Sequence, residues 1–171
     1  MKDLKGSEKF LKILDQTKKY LEFVENQWNK NFSFTFALMK ELTGFSFKKN
    51  FIVYITHPSL KNGIYLGKNK IGWGHHEDIP NYSTIYLWHE ILHSYLSFSN
   101  LDHALIQLLT DNELRIRLNG GKYPPFLGHE YLKPLMKKIL PYWKKYLKSK
   151  KKDILKFKNY LKRTLKKKGG I

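Results

Sequence analysis

Residues 89–93 read H-E-I-L-H and lie inside an apolar stretch, residues 82–98, that predicts one helix. Two side chains four positions apart lie on the same face of a helix, so His89 and His93 can direct their rings at one point. Glu90 then lies beside that face. Such a helix can hold a divalent metal between two imidazoles with a carboxylate next to it. Two histidines at the surface of a helix give the same pattern, so a third ligand is needed to decide.

The chain contains no cysteine, so disulfides and thiolate zinc sites are excluded, and any transition metal must be held by His, Asp or Glu. It has 171 residues, of which 42% are hydrophobic and 15% aromatic, which is enough to build a core. No stretch reaches the ~18 apolar residues of a membrane helix, and the first residues have no apolar signal segment. We therefore expect a cytoplasmic protein with no membrane partner.

The formal net charge of +18 is concentrated at one end of the chain. Residues 1–130 carry 16 Lys or Arg against 13 Asp or Glu, whereas residues 131–171 carry 16 against Asp153 alone. We therefore divide the chain into a body, residues 1–130, and a basic amphipathic helical segment, residues 131–171, packed on it. Nucleic acid is an alternative partner for this segment. We do not favour it, because amphipathic helices expose lysines for packing and solubility alone.

Periodicity and turn residues predict an α+β order of elements. Helices are expected at residues 7–29, 35–43, 82–98, 101–119, 132–147 and 154–165, and strands at 51–56, 63–66 and 70–73. The three strands are consecutive, so we expect a small antiparallel β-meander. It is followed by the helix of the H-E-x-x-H motif and by a second helix that carries Glu113, with further helices at both ends of the chain.

Two residues can supply the third ligand of a catalytic zinc site. His103 lies ten positions after His93, at the start of the next predicted helix, and Glu113 lies twenty positions after it. Glu113 shares a predicted helix face with aliphatic residues at positions 106, 109 and 116, where a carboxylate needs a cation as partner. A metal held by His89 and His93 would be that cation. Arg117, one turn away, is the competing partner.

At these positions the chain resembles a known family. The motif at residues 89–93, followed by Asn112 and Glu113, is similar to the gluzincin clan of zinc metallopeptidases, which includes the thermolysin-like enzymes. The resemblance covers about residues 64–119, and the small size is most like the minimal single-domain gluzincins of prokaryotes. It implies a zincin-like fold in which the last strand before the active-site helix, residues 70–74, is an edge strand that binds the substrate backbone.

The resemblance also implies a reaction. Zn²⁺ would be held by His89, His93 and Glu113, and Glu90 would be the catalytic base of a hydrolase that cleaves a peptide or protein substrate through a metal-activated water. This zinc metalloprotease would occupy residues 1–130, and it would be latent if the C-terminal segment covered its cleft. The sequence specifies neither the substrate nor the oligomeric state.

The chain departs from the gluzincin pattern at two points. Thermolysin-like enzymes have an Asp that orients a ligand histidine where this chain has Arg117, so Asp111 or Asp102 has to take that role. No motif identifies the donor that stabilises the oxyanion. Three residues that follow the Glu113 helix are candidates for it: Tyr123, His129 and Tyr131.

Two other functions stay open. With His103 as third ligand, the chain resembles the Spartan-type crosslink proteases, which combine an H-E-x-x-H core with DNA-binding segments and use a third histidine. In the second alternative, the chain is a non-catalytic basic binding module whose histidines are incidental. A further cluster, H-H-E-D at residues 75–78, is expected to be a solvated loop, because adjacent residues of an extended segment point to opposite sides.

Overall fold

The computed structural model of the chain describes residues 6–121 and 128–167. It is an α+β protein with one small three-stranded sheet among the described residues, which agrees with the predicted class. The elements are α1 (Glu8–Thr43), β1 (Ile52–Ile55), β2 (Asn62–Gly67), β3 (Lys70–Gly74), α2 (Tyr82–Leu92), α3 (Asn100–Gln107), a π-helical segment (Leu108–Leu114), α4 (Arg115–Asn119), α5 (Lys133–Leu147) and α6 (Ile154–Lys167), with 3₁₀ turns at Pro58–Leu60 and Glu130–Leu132.

Helix α1 is continuous over 36 residues, so the predicted break in its middle is wrong. Polar residues lie in its apolar stripe there, but the fold buries them with partners. Asn31 Nδ2 donates to Asn81 Oδ1 at 2.8 Å, and Thr35 Oγ1 accepts from Trp88 Nε1 at 2.9 Å. Buried polar groups with partners do not interrupt a helix. The helix ends at Gly44, as predicted, where a φ of 77° suits glycine.

The sheet is mixed, so the predicted antiparallel meander is wrong. The strand order is β1-β3-β2, with β2 antiparallel and β1 parallel to β3. Because both edges of β3 are paired, residues 70–74 do not form the edge strand that the family resemblance implies. Ile71 and Trp73 of β3 are buried, whereas β1 and β2 are largely exposed. Strand order follows this difference in burial, and short apolar runs of similar composition do not reveal it.

The predicted helix at residues 101–119 is present, but its middle is not α-helical. Ser99 caps α3 by accepting a hydrogen bond from the Asp102 backbone N–H. Residues Leu108–Leu114 then form a π-helix, and every residue in it is buried. Hydrogen bonds in a π-helix run from i to i+5, so side chains beyond its start leave the faces that an α-helical repeat assigns to them. This change of phase alters which carboxylates reach the histidines.

The C-terminal helices pack on the body, with α5 and α6 against α3, and α6 also against α1. Their apolar sides join the main hydrophobic core through Met136, Ile139, Trp143, Tyr146, Ile154, Phe157, Leu161 and Leu165. Most of the lysines of both helices face outward. Across the described residues, no helix is at once long enough and apolar enough to cross a membrane.

Candidate metal centre

Helix α2 carries both histidines of the motif at its C-terminal end. His89 lies in the last turn and His93 at the C-cap, so the helix stops short of the predicted residue 98. The other end of α2 is held by Glu77, whose Oε1 accepts from the Ser83 backbone N–H at 2.9 Å. His89, Glu90 and His93 are each less than 10% exposed. The motif therefore faces the interior, which disfavours the interpretation as two incidental surface histidines.

Helix α3 brings a third histidine to the pair. One ring nitrogen from each of His89, His93 and His103 lies within 4.8 Å of the other two. The Nε2 atoms of His89 and His103 are 3.2 Å apart. Two nitrogens bound to one tetrahedral zinc at about 2.1 Å are about 3.4 Å apart, so this spacing suits a shared ion. The three histidines are close enough to bind a metal, and they are the only such group found among the described residues.

Asp111 orients the first of these rings. His89 Nδ1 lies 3.0 Å from Asp111 Oδ1, and the carboxylate can only accept, so Nδ1 carries the proton and Nε2 is left to ligate. Thr110 Oγ1 lies 2.7 Å from the same carboxylate oxygen. Burial opposes protonation of His89, but the charge and hydrogen bond of Asp111 outweigh it and raise the pKa of the ring. Asp111 is one of the two carboxylates expected to orient a histidine, because Arg117 occupies the position of the Asp that has this role in thermolysin-like enzymes.

The other two rings are kept neutral. Burial, together with the neighbouring His89 and His103, lowers the pKa of His93 to about 3. Burial and the neighbouring His89 and His129 lower the pKa of His103 to about 4. Neutral imidazole is the form that binds a metal, so protons compete little for these two ligands near neutral pH. His93 Nδ1 is buried without a hydrogen-bond partner among the described residues, which is rare for a structural histidine.

Glu90 lies beside the histidines on α2 and is only 8% exposed. Its carboxylate interacts with the charge of His89 and with the backbone of Tyr65 in β2. Burial raises the pKa of Glu90 more than these two interactions lower it. A buried carboxyl with a raised pKa beside a candidate metal site is suited to taking up and releasing a proton.

Glu113 is buried, as its position on an apolar face predicts, but a different cation faces it. Arg117 Nε donates to Glu113 Oε1 at 2.8 Å, which is the competing partner that the sequence offers. Glu113 does not belong to the group of three histidines. The π-helical segment explains the difference, because the α-helical spacing that aims Glu113 at the metal does not hold through residues 108–114. Its role as a ligand stays a prediction.

Asp102, the second candidate for orienting a ligand histidine, lies at the other end of α3 and is fully buried. Its carboxylate pairs with Lys158 Nζ of α6 at 2.5 Å and accepts hydrogen bonds from the hydroxyls of Ser97 and Ser99. Burial alone would raise the pKa of Asp102, but these three partners outweigh burial and lower it. Asp102 therefore stays charged, and it links the first turn of α3 to the basic C-terminal segment.

One of the three oxyanion candidates lies next to the histidines. The ring centroids of His129 and His103 are 4.8 Å apart, and the His129 ring stacks on Tyr131 at 5.5 Å. His129 and Tyr131 are both exposed, with Tyr131 farther from the cluster. Tyr123 lies outside the described residues. His129 is thus a solvent-facing donor at the border of the site.

The H-H-E-D cluster is a capping loop and not a metal site. Glu77 binds the N-terminus of α2 and also accepts from Gln27 Nε2 at 2.7 Å, and His75 Nδ1 bonds the carbonyl of His76 at 2.8 Å.

A cleft of about 830 Å³ lies on the opposite side of α2, lined by α1, β1 and residues such as Trp88. None of the three clustered histidines lines it. It therefore does not serve the metal centre.

Comparisons with models of protein families, with curated proteins and with solved structures find no match. The chemistry of the site must therefore be inferred from its own geometry. His103 was the second choice for the third ligand, because Glu113 lies on an apolar face and matches the gluzincin pattern. The signal that favours His103 is local, since Ser99 caps α3 and puts His103 in its first turn.

Proposed function

We propose that this protein is a zinc-dependent metallopeptidase in which His89, His93 and His103 hold the ion and Glu90 is the catalytic base. The observation that carries the proposal is the group of three histidines, with His89 oriented by Asp111 and the buried Glu90 adjacent to it. This ligand set departs from the gluzincin pattern, in which a glutamate completes the site. We therefore assign the chain to H-E-x-x-H metallopeptidases in the broad sense.

The donor set fits zinc on chemical grounds. Three histidine rings are a known ligand set of a catalytic zinc that keeps one position open for water. The unpartnered Nδ1 of His93 is costly in a purely structural cluster, and the 3.2 Å between the Nε2 atoms of His89 and His103, a hydrogen-bond distance when one of them is protonated, also matches two ligands of one ion. When bound, zinc would lower the pKa of a water molecule and polarise the scissile carbonyl.

The protein's own residues then move the proton. Glu90 would accept a proton from the attacking water and deliver it to the leaving amine. Its raised pKa makes the protonated form accessible, which the second step requires. Asp111 holds the His89 ring in one tautomer throughout the cycle. Burial of all these groups excludes bulk water and strengthens each electrostatic interaction.

The substrate backbone is assigned to β2 in place of β3. β2 is an edge strand of the sheet, and the backbone of its Tyr65 interacts with the Glu90 carboxylate. An extended peptide added to that edge would pass next to the histidines, because an edge strand offers unpaired N–H and C=O groups. The role that the family resemblance implies for residues 70–74 is thereby moved to residues 62–67.

Metal removal tests the proposal directly. The purified protein is expected to contain about one zinc per chain. Treatment with 1,10-phenanthroline should abolish cleavage of an unfolded protein such as casein, and stoichiometric Zn²⁺ should restore it. The melting temperature should fall on chelation, because an ion that binds only the folded state stabilises it. A protein that neither contains zinc nor is stabilised by it would contradict the proposal.

We assign the oxyanion-stabilising donor to His129, since of the two candidates within the described residues it is the one that lies beside a proposed ligand. His129→Ala is expected to lower kcat by about 10²–10³-fold with little change in zinc content. Tyr131→Phe, on the same segment, is the control and should retain near wild-type kcat. Loss of zinc from the His129 variant would show that it supports the metal instead, and an unchanged kcat would exclude it.

A nucleic-acid-directed protease would also use His103 as the third ligand, but no further feature of the described residues favours a nucleic-acid partner. The lysines of α5 and α6 lie outside apolar faces that are buried in the core, which packing alone produces. Peptide bond hydrolysis accounts for the ligands, the base and the adjacent edge strand together. We therefore propose a peptide or protein as the substrate.

A further inference from the structure

The C-terminal segment reaches the metal centre through one buried ion pair. Most lysines of α6 are exposed, but the Lys158 side chain is only 14% exposed and its Nζ lies 2.5 Å from Asp102 Oδ1. Asp102 is fully buried. A buried charge pair costs desolvation energy and is kept where it fixes an arrangement that apolar contacts alone leave free. The pair of Lys158 and Asp102 is therefore expected to fix the structure around it.

Asp102 directly precedes His103 in the first turn of α3. That turn depends on Ser99, whose Oγ accepts from the Asp102 N–H at 3.2 Å and whose carbonyl accepts from the His103 N–H at 2.9 Å. The Asp102 carboxylate returns to the Ser99 and Ser97 hydroxyls. Ser99 is thus the N-cap of α3, and its hydroxyl bonds both the backbone N–H and the carboxylate of Asp102. Lys158 holds the carboxylate from the opposite side.

The loop before α3 makes this support necessary. Residues 93–99 leave α2 and return through turns and bends before α3 begins, so His103 reaches His89 and His93 across an irregular connection. His89 and His93, in contrast, share one helix and keep their spacing without help. The position of the third ligand is thus the least constrained by local structure and depends most on tertiary contacts.

We propose that Lys158 is a positioning residue for the metal centre, which sets the place of His103 through Asp102. This inference rests on the proposed function. Helix α6 would then contribute to the geometry of the metal site. Residues 1–130 would not form that site fully without the basic segment 131–171. Lys158 would act through the backbone of the first turn of α3 and would not contact the ion.

The test measures the affinity of the full-length protein for Co²⁺ and Zn²⁺. The visible absorption spectrum of bound Co²⁺ shows the coordination geometry. Lys158→Met should weaken metal binding about tenfold and alter the Co²⁺ spectrum, since loss of an outer partner of a ligand typically costs 10–100-fold in affinity. Lys158→Arg keeps the charge pair and should restore both. Lys162→Met, the same change one turn along α6 at an exposed lysine, is the matched control and should match the wild type.

A loss of folding in Lys158→Met is separated from a loss of positioning by a second variant. Asp102→Asn combined with Lys158→Met leaves no unpaired buried charge and should fold, yet its metal affinity should stay about tenfold below the wild type. Wild-type affinity and an unchanged Co²⁺ spectrum in this double variant would overturn the positioning role. If the wild-type protein itself binds neither ion, the proposed function falls first, and this inference falls with it.

Discussion

His103→Ala is expected to lower zinc affinity by at least about 100-fold, whereas Glu113→Ala should leave it within a few-fold of the wild type. The reason is geometric. The His103 Nε2 lies 3.2 Å from His89 Nε2, while the Glu113 carboxylate is held by Arg117. Metal content after dialysis against a buffered zinc concentration gives the comparison in one experiment.

The two variants need different controls. Glu113→Ala removes a buried carboxylate and leaves Arg117 without that partner, so a loss of stability is expected and the zinc measurement has to be made well below the melting temperature. Glu113→Gln keeps the shape and should bind zinc as the wild type does. The opposite result, with zinc lost from the Glu113 variants and kept by His103→Ala, would restore the gluzincin ligand set.

Glu90→Gln is expected to lower kcat by about 10²–10⁴-fold while the zinc content stays at the wild-type level. The amide has nearly the same shape as the carboxylate, and its oxygen can still interact with the Tyr65 backbone. It cannot take up a proton from water. Steady-state cleavage of an unstructured peptide, together with metal analysis of the same sample, separates the two effects.

The matched variant for Glu90 is Glu77→Gln, a carboxylate of the same type that caps α2 away from the histidines. It is expected to lose stability with little loss of kcat, because Glu77 binds the N-terminus of α2 and Gln27 of α1 and none of the clustered histidines. Turnover by Glu90→Gln at the wild-type rate would remove Glu90 as the base. A loss of zinc from that variant would instead give Glu90 a role in holding the metal.

The α+β class and most of the helix ends could be predicted because their signals are local. Ser7, Ser99 and Gly44 end or begin helices by hydrogen bonds to residues within four positions. The pairing of β1 with β3 could not be predicted, because strand order depends on which strand the rest of the core buries. The continuity of α1 depends likewise on partners far along the chain, such as Asn81 for Asn31.

The residues of the candidate site also fall into two groups, those that local spacing predicts and those that depend on tertiary contacts. His89, Glu90 and His93 could be placed together from their spacing, since a helix fixes the relation of residues three and four apart. Asp111 could be named only as one of two carboxylates. Glu113 could be identified as buried, but its alignment with the histidines assumed an α-helical repeat that the segment Leu108–Leu114 does not keep.

The sequence by itself therefore determined the chemistry that is available: two imidazoles and a carboxylate on one helix, no thiolates, and a weakly charged body with a strongly basic end. Only the tertiary structure decided which residues meet. It brought His103 to the pair, turned Asp111 toward His89, and tied Asp102 to Lys158 across fifty-six positions of chain. Local spacing is set by backbone geometry, whereas contacts between distant segments depend on how the whole core packs.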